Sequence, residues 1–402
     1  MRRCERVSPT QRADWASDPG PLSEQPRPAV PRSGKMSVRR ILPWAVLPGA
    51  LALHVASASA PHVVQWVYAE RVYPVLVSAL EKLFGAVRFA AWEWLVTAVV
   101  LILSAVAVRH IRRARAGGLG WVRVLLGLSK GFFGLLGCLY VGFLLLWGLN
   151  HQRPSFAELA GLATPPVAVE ELRELSLDLV AAVNVARQGL AEDEHGVMRL
   201  AGGLGAAMSR AGLGFAPLAQ ALGPGILVGP VTRPKLPRVS AWMWRVGISG
   251  IYIPFTAEPN VNATLPDPDV PFTACHELAH LAGFAREDEA SYVGYSACLL
   301  HPDADFRYSA QFVASLHAMS ALASVDRVAY DELALRRSAG VTRDVEAIRR
   351  WSLRYAGAVQ RTANRVNDAY LKSQGHADGV RSYGRLVDLL VAERNKRQNH
   401  HR

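Results

Sequence analysis

The sequence predicts a membrane-anchored chain in two parts: three N-terminal transmembrane helices, then a mainly α domain of α+β type with a small β-element ahead of its central helix. Three observations carry that expectation. Hydrophobic residues are 50% of the 402-residue chain, and they crowd between residues 41 and 149 in runs long enough to cross a bilayer. Basic residues gather at the ends of those runs, where membrane orientation requires them. Further on, in a stretch of ordinary soluble composition, Phe272–Phe284 holds a His-Glu-x-x-His pattern.

The elements follow in order. Residues 1–40 form a leader, its first part rich in Arg, Pro and Ser and without apolar periodicity, expected to be disordered. Met36 offers a second start just before Ser37-Val38-Arg39-Arg40. The first span is about 41–60, a retained anchor by its length or a signal peptide ending at Ala58-Ser59-Ala60. Pro61–Ala91 is amphipathic, interrupted by Glu70, Arg71, Pro74, Glu81, Lys82 and Arg88, and is expected at the outer interface or packed under the later domain. The second span is about 92–108. Arg109-His110-Ile111-Arg112-Arg113-Ala114-Arg115 and Arg123 follow with no acid among them, which marks a cytoplasmic loop. The third span, about 131–149, has a Gly-rich first half suited to close helix packing.

Three crossings from the inside place residues 150–402 outside, and Arg39 and Arg40 agree. The expected location is the cytoplasmic membrane, multi-pass, with the C-terminal domain extracytoplasmic. In that domain, 168–192 has helical periodicity at Leu172, Leu175, Leu177 and Leu179. Residues 198–222 are Ala/Gly/Leu-rich and helical, and 223–238 is a proline-rich loop. Val246–Phe255 gives the one β-signal, and 257–271 is a second Pro-rich loop. Helices are expected at about 287–300, 305–323, 327–337, 343–372 and 380–396, before a basic tail.

The net charge of +12 does not make a nucleic-acid surface, because the basic residues are not interleaved with aromatics on one patch. The expected partners are the lipid bilayer and a peptide or protein substrate. The four cysteines form no scaffold. Cys275 points about 100° away from its neighbour His276 and reads as a packing residue. A Cys275–Cys298 disulfide would require an oxidising compartment.

On a helix His276 and His280 fall about 40° and about 6 Å apart, so both can hold one Zn²⁺. A catalytic zinc site needs a third ligand and an open position. Gly283 can end the helix, and a second helix beginning at Glu287-Asp288-Glu289 can bring back a carboxylate. Glu289 is the expected ligand, being carried inside that helix, while Glu287 and Asp288 suit its N-terminal dipole as exposed caps. Glu277 is the expected general base: zinc lowers the pKa of water toward neutrality, and Glu277 takes the proton and passes it to the leaving amine. Tyr383, in a Gly-flanked turn, is the expected oxyanion donor, with Tyr308 and His376 as alternatives. Asn367 and Asp368 are candidates to orient a ligating histidine. His151, His195, His301 and His317 have no partner spacing and read as surface or core. Ser249–Phe255 is either an edge to which an extended peptide adds or a core strand.

The helix–turn–helix with a Glu on its second helix resembles the gluzincin type of zinc metallopeptidase. More closely, the chain resembles an uncharacterised bacterial family of membrane-anchored HExxH proteins with three N-terminal spans. The resembling stretches are Trp147-Gly148-Leu149-Asn150, Ser249–Tyr252, Pro254-Phe255-Thr256, Asn260-Val261-Asn262, Cys275–Gly283, Glu287–Ala290, Tyr308-Ser309, Val366–Lys372 and Ser382-Tyr383-Gly384. The resemblance implies a zincin-like domain. It departs at Ser291, where the family usually has Asn, which weakens an expected supporting role for that position. Together these features point to an outward-facing zinc metallohydrolase, a peptidase foremost. The alternative is a catalytically silent, membrane-anchored binding or envelope-assembly protein with a structural metal.

Overall fold

The computed structural model describes residues 38–116, 120–354 and 385–400, together with residues 357, 361, 362, 365, 366, 368, 369 and 372. The chain divides into two units, Met1–Ile41 and Leu42–Arg402. Only the last residues of the first are described, and the expected leader otherwise lies outside the described residues.

Helix α1 (Val38–Ala58) comes first. Pro61 then opens α2 (Pro61–Val63), as a proline suits a first helical position. It continues through a π-helical stretch, Val64–Val72, into α3 (Tyr73–Phe84). Next come α4 (Ala91–Arg115) and α5 (Trp121–Leu146). Among the described residues two helices, rather than the expected three, are long and apolar enough to cross a membrane: α4 and Val122–Leu146 of α5. Helix α4, with 25 residues, is about 37 Å long against a hydrocarbon core of about 30 Å. The described apolar part of α1, Ala45–Ala58, reaches only about 21 Å. Helix α1 lies against α5, with Val46 packed on Gly137 and the His54 ring 6.4 Å from Tyr140. Both candidate spans also run further than expected toward the basic loop. Arg112, Arg113 and Arg115 occupy the last turn of α4, where cations suit the helix dipole.

A 3₁₀ turn, Gly148–Gln152, leads into α6 (Phe156–Leu159), whose Ser155 and Glu158 form a capping box. Then follow α7 (Val169–Ala186), α8 (Gly203–Arg210), α9 (Phe215–Leu222) and α10 (Ser240–Arg245). Strand β1 (Gly250–Ile253) pairs antiparallel with β2 (Glu258–Val261), Gly250 opposite Val261 and Ile253 opposite Glu258. The expected strand therefore shrinks to four residues, and its partner emerges from the expected loop. Glu258-Pro259-Asn260 is a poor strand by propensity. Buried polar contacts hold it instead: Glu258 pairs with Lys235, and Asn260 donates to Ile251 O at 3.2 Å.

The remaining elements are helical: α11 (Val270–Leu281), α12 (Glu287–Leu299), α13 (Ala304–Val325), α14 (Arg327–Ala334), α15 (Ala339–Leu353) and α16 (Leu386–His400). Helix α11 is the hub. It contacts β1, β2, α8, α12 and α13, and every one of its residues except His276 is buried. An all-round apolar helix of this kind belongs in a core. Helix α7 lays its stripe of Leu172, Leu175, Leu179 and Val183 in the same core.

Helices α4 and α5 are fastened to this body at both open ends. The Glu258 carboxylate accepts from Ala91 N at 2.9 Å and Trp92 N at 3.0 Å, capping α4, while Trp92 Nε1 donates to Asn260 Oδ1 at 3.2 Å. After α5, Arg153 donates to Gln65 Oε1 at 2.8 Å, Gly283 O at 2.7 Å and Ile226 O at 3.1 Å.

Candidate metal centre

Helix α11 ends where the sequence places its stop. Gly283 has φ 102°, and Phe284 N donates back to Ala279 O at 3.1 Å, closing a Schellman-type turn. The chain reverses, and α12 returns along α11. Gly294 permits the close approach, because a Cβ there would lie 2.8 Å from His276 N.

That return brings one acid to the histidines, and it is Glu287. Its Oε2 lies 3.2 Å from His276 Nε2 and 3.5 Å from His280 Nε2. The three potential ligand atoms all lie within 4.8 Å of one another. Glu289, the expected ligand, is turned the other way. Two residues on, at about 100° each, it sits about 200° around α12. Its carboxylate accepts from Phe156 N at 2.8 Å and Arg286 Nη1 at 3.0 Å.

Each histidine is oriented through its other nitrogen. His280 Nδ1 donates to Phe284 O at 2.7 Å, since a carbonyl can only accept. His276 Nδ1 lies 3.2 Å from Ser291 Oγ, so position 291 keeps a supporting contact although it carries Ser. With both Nδ1 atoms occupied by oxygen partners, the Nε2 atoms face Glu287, which is the arrangement metal-ligating histidines require. The Trp147 ring meets His280 edge-on at 5.5 Å and Tyr252 at 4.7 Å.

The electrostatics are those of a strongly coupled cluster. Burial alone would raise the Glu287 carboxyl. The charge on His280 and hydrogen bonds from both rings outweigh it and hold Glu287 well below the usual range. Burial opposes charge on His280, but Glu287 prevails and lifts it to about 9. For His276 burial wins, and its basicity falls. Protons would therefore compete with any metal cation for the same three atoms.

Glu277 stands beside the triad, 4% exposed, and burial pushes it up to about 8. Its Oε2 is buried without a hydrogen-bond partner. Its Oε1 lies over Gly250 of β1, where a Cβ would come within 2.3 Å. An orphaned carboxylate oxygen, two neutral nitrogen ligands and one anionic oxygen ligand fit a zinc site with an adjacent proton carrier.

The other expected positions separate. Tyr383, His376 and Asn367 lie outside the described residues. Tyr308 is a core residue bonded to Asp344, itself paired with Arg187. Asp368 pairs with Lys372 at 2.7 Å. Cys275 and Cys298 are free, buried thiols.

A family model described as "Protein of unknown function (DUF3810)" matches residues 68–391. The chain belongs to this family. No curated protein and no solved structure matches it. The matched span takes in both candidate membrane helices and the whole of the His276–His280–Glu287 cluster.

Two contributors escaped the sequence. Arg153 fastens the Gly283 turn. His317 on α13 is lowered to about 4 by burial and by the nearby charge of His276. The second had a signal: at helical spacing it extends the buried stripe Phe306, Ala310 and Val313, a polar residue continuing an apolar face.

Proposed function

We propose that this chain is a membrane-bound, zinc-dependent metallohydrolase of gluzincin type, cleaving peptides or proteins at the outer face of the cytoplasmic membrane. The observation that carries it is the convergence of His276 Nε2, His280 Nε2 and Glu287 Oε2 beside the unpartnered Glu277 Oε2. A purely structural histidine pair has no use for that buried carboxyl group, whose unpaired oxygen costs stability.

His276, His280 and Glu287 would hold the zinc, which supplies a Lewis acid that activates water and polarises the scissile carbonyl. Glu277 does the proton work. It accepts a proton as the water oxygen adds to the carbonyl carbon, and it delivers that proton to the amine as the C–N bond breaks. The missing side chain at Gly250 lets the Glu277 carboxyl sit against β1. Strand β1 pairs with β2 along one edge, and its other edge can receive an extended substrate backbone.

Orientation follows from the hairpin. Helices α4 and α5 carry Arg109, Arg112, Arg113, Arg115 and Arg123 at their closed end, which belongs in the cytoplasm. Two crossings return the chain to the side it left. That agrees with the 3.0 Å hydrogen bond from Tyr73 OH on α3, before the hairpin, to Leu281 O on α11, after it.

The test is Glu277→Gln in the purified full chain. It is expected to bind zinc as the wild type does and to lose hydrolysis of an unfolded protein such as casein. Undiminished cleavage by the variant would sink the proposal.

A further inference from the structure

We propose that the substrates are themselves held in the membrane, and that the bond cleaved lies only about 2–6 extended residues from the substrate's own anchor. This rests on reading α4 and α5 as spans and the triad as a hydrolytic centre.

The first observation is that nothing separates the span from the site. Helix α5 ends at Leu146, and the next residue, Trp147, has its ring 5.5 Å from that of His280. The second is that the turn after β1 reaches down the span. Phe255 packs on Gly142, whose Cβ would come 3.1 Å from its ring, one helical turn below the end of α5. The third is that the strand pair holds the other span: Glu258 of β2 caps α4 at Ala91 N and Trp92 N. The metal helix and the turn after β1 are thus fixed to the end of α5, and β2, paired with β1, is fixed to α4. No linker lets the site rise from the bilayer.

The flanking surface is built for the interface. Trp66, Leu83, Phe89, Trp94 and Trp242 are exposed. Arg71 lies 3.7 Å over the Trp66 ring and Arg238 lies 5.6 Å over Trp94. Amphipathic rings with guanidinium partners are the side chains found at headgroup depth. At this height the edge of β1 is available to chain just emerging from a bilayer. A freely diffusing peptide would have to enter along the headgroups.

Two measurements on the full-length protein test this. The first is a depth measurement in phosphatidylcholine–phosphatidylglycerol liposomes, with Cys4→Ser/Cys138→Ser as background and bimane attached at Phe255→Cys or, as control, at Val328→Cys on α14. Lipids with a shallow doxyl group are expected to quench the first label and leave the second bright. Equal quenching at the two positions would overturn the placement, and with it the substrate class, while leaving the hydrolase proposal standing. The second offers the zinc-loaded enzyme and its Glu277→Gln variant two pools from the source cells, membrane proteins in liposomes and soluble extracytoplasmic proteins. New N-termini are then mapped by mass spectrometry. Glu277-dependent cuts next to membrane anchors support the inference. Cuts spread through the soluble pool overturn it alone, and no Glu277-dependent cut in either pool removes the hydrolase proposal together with it.

Discussion

Glu287 and Glu289 are the same residue type, two positions apart on one helix, and exchanging each for Gln separates their roles. Glu287→Gln removes the anionic ligand whose Oε2 lies 3.2 and 3.5 Å from the two Nε2 atoms. Losing a partner one shell further out costs roughly 10–100-fold in metal affinity. Losing the ligand itself should cost at least about 100-fold, roughly 2.7 kcal/mol or more. Glu289→Gln touches no ligand. It weakens the hydrogen bonds from Phe156 N and Arg286 Nη1, at 2.8 and 3.0 Å, in a side chain only 10% exposed. Because Gln keeps one acceptor oxygen, the expected loss is about 1–3 kcal/mol. For a body of this size that is about 2–12 °C in melting temperature. The assay pairs bound zinc, measured by elemental mass spectrometry and chelator competition, with thermal melting of the chelator-treated protein. Glu287→Gln should lose zinc and, having given up its contacts with both histidines, also melt below the chelated wild type. Glu289→Gln should keep zinc and melt lower. A zinc-free Glu289→Gln beside a zinc-loaded Glu287→Gln would refute the assignment.

Three further outcomes are expected. Ser291→Ala removes the oxygen 3.2 Å from His276 Nδ1 and should weaken zinc binding about 10–100-fold, read by chelator competition; unchanged affinity would show that this contact does not orient the ring. Gly250→Ala puts a methyl within 2.3 Å of Glu277 Oε1. It should leave zinc content unchanged while slowing hydrolysis about 100-fold, the usual penalty for a catalytic group displaced by about 1 Å. Asp269 is raised from 3.8 to about 6 by burial, so between those values the folded chain binds more protons than the unfolded one, and this residue's contribution to stability falls as pH rises. Asp269→Asn should therefore stabilise the protein by about 1–3 kcal/mol above pH 6 and change nothing below the unfolded value; equal melting temperatures at pH 7 would contradict this.

The fold was legible where one physical signal dominated. Hydropathy and the Arg109–Arg115 cluster located α4 and α5. The His-Glu-x-x-His spacing and Gly283 placed the metal helix and its end. What propensity could not show was β2, because Glu258-Pro259-Asn260 is a strand only through partners distant in sequence, Lys235 and the N-terminus of α4. The third ligand failed for a different reason. Choosing the acid deepest in α12 favoured rigidity, but phase decides. Residues 287, 291, 294 and 298 recur at spacings of four, three and four, one face of a helix. That face supplies Glu287 against both histidines, the His276 partner Ser291, the close-packed Gly294 and Cys298. Glu289 is off that stripe.

Segments on both sides of the α4–α5 hairpin gather under α11 for a physical reason. The last carbonyls of a helix have no partner within it, and α11 ends in the interior, where an unmet carbonyl is costly. Each receives a donor. Ala279 O takes Phe284 N and His280 O takes Gly283 N, both local. Leu281 O takes Tyr73 OH at 3.0 Å, from α3. Ala282 O takes Val228 N at 3.1 Å and Gly229 N at 3.2 Å. Gly283 O takes Arg153 Nη1 at 2.7 Å, from just beyond α5, and Phe284 O takes His280 Nδ1. Burial lowers Arg153 only to about 10, so it stays charged at neutral pH and its donors stay available. An apolar residue at 153 would leave Gly283 O, Ile226 O and Gln65 Oε1 unpaired together. The demand that orients His280 through Phe284 O is therefore the demand that binds α3 and the exit of α5 to the site. The tautomer of His280 and the seating of α3 and of the α5 exit follow from one buried helix end.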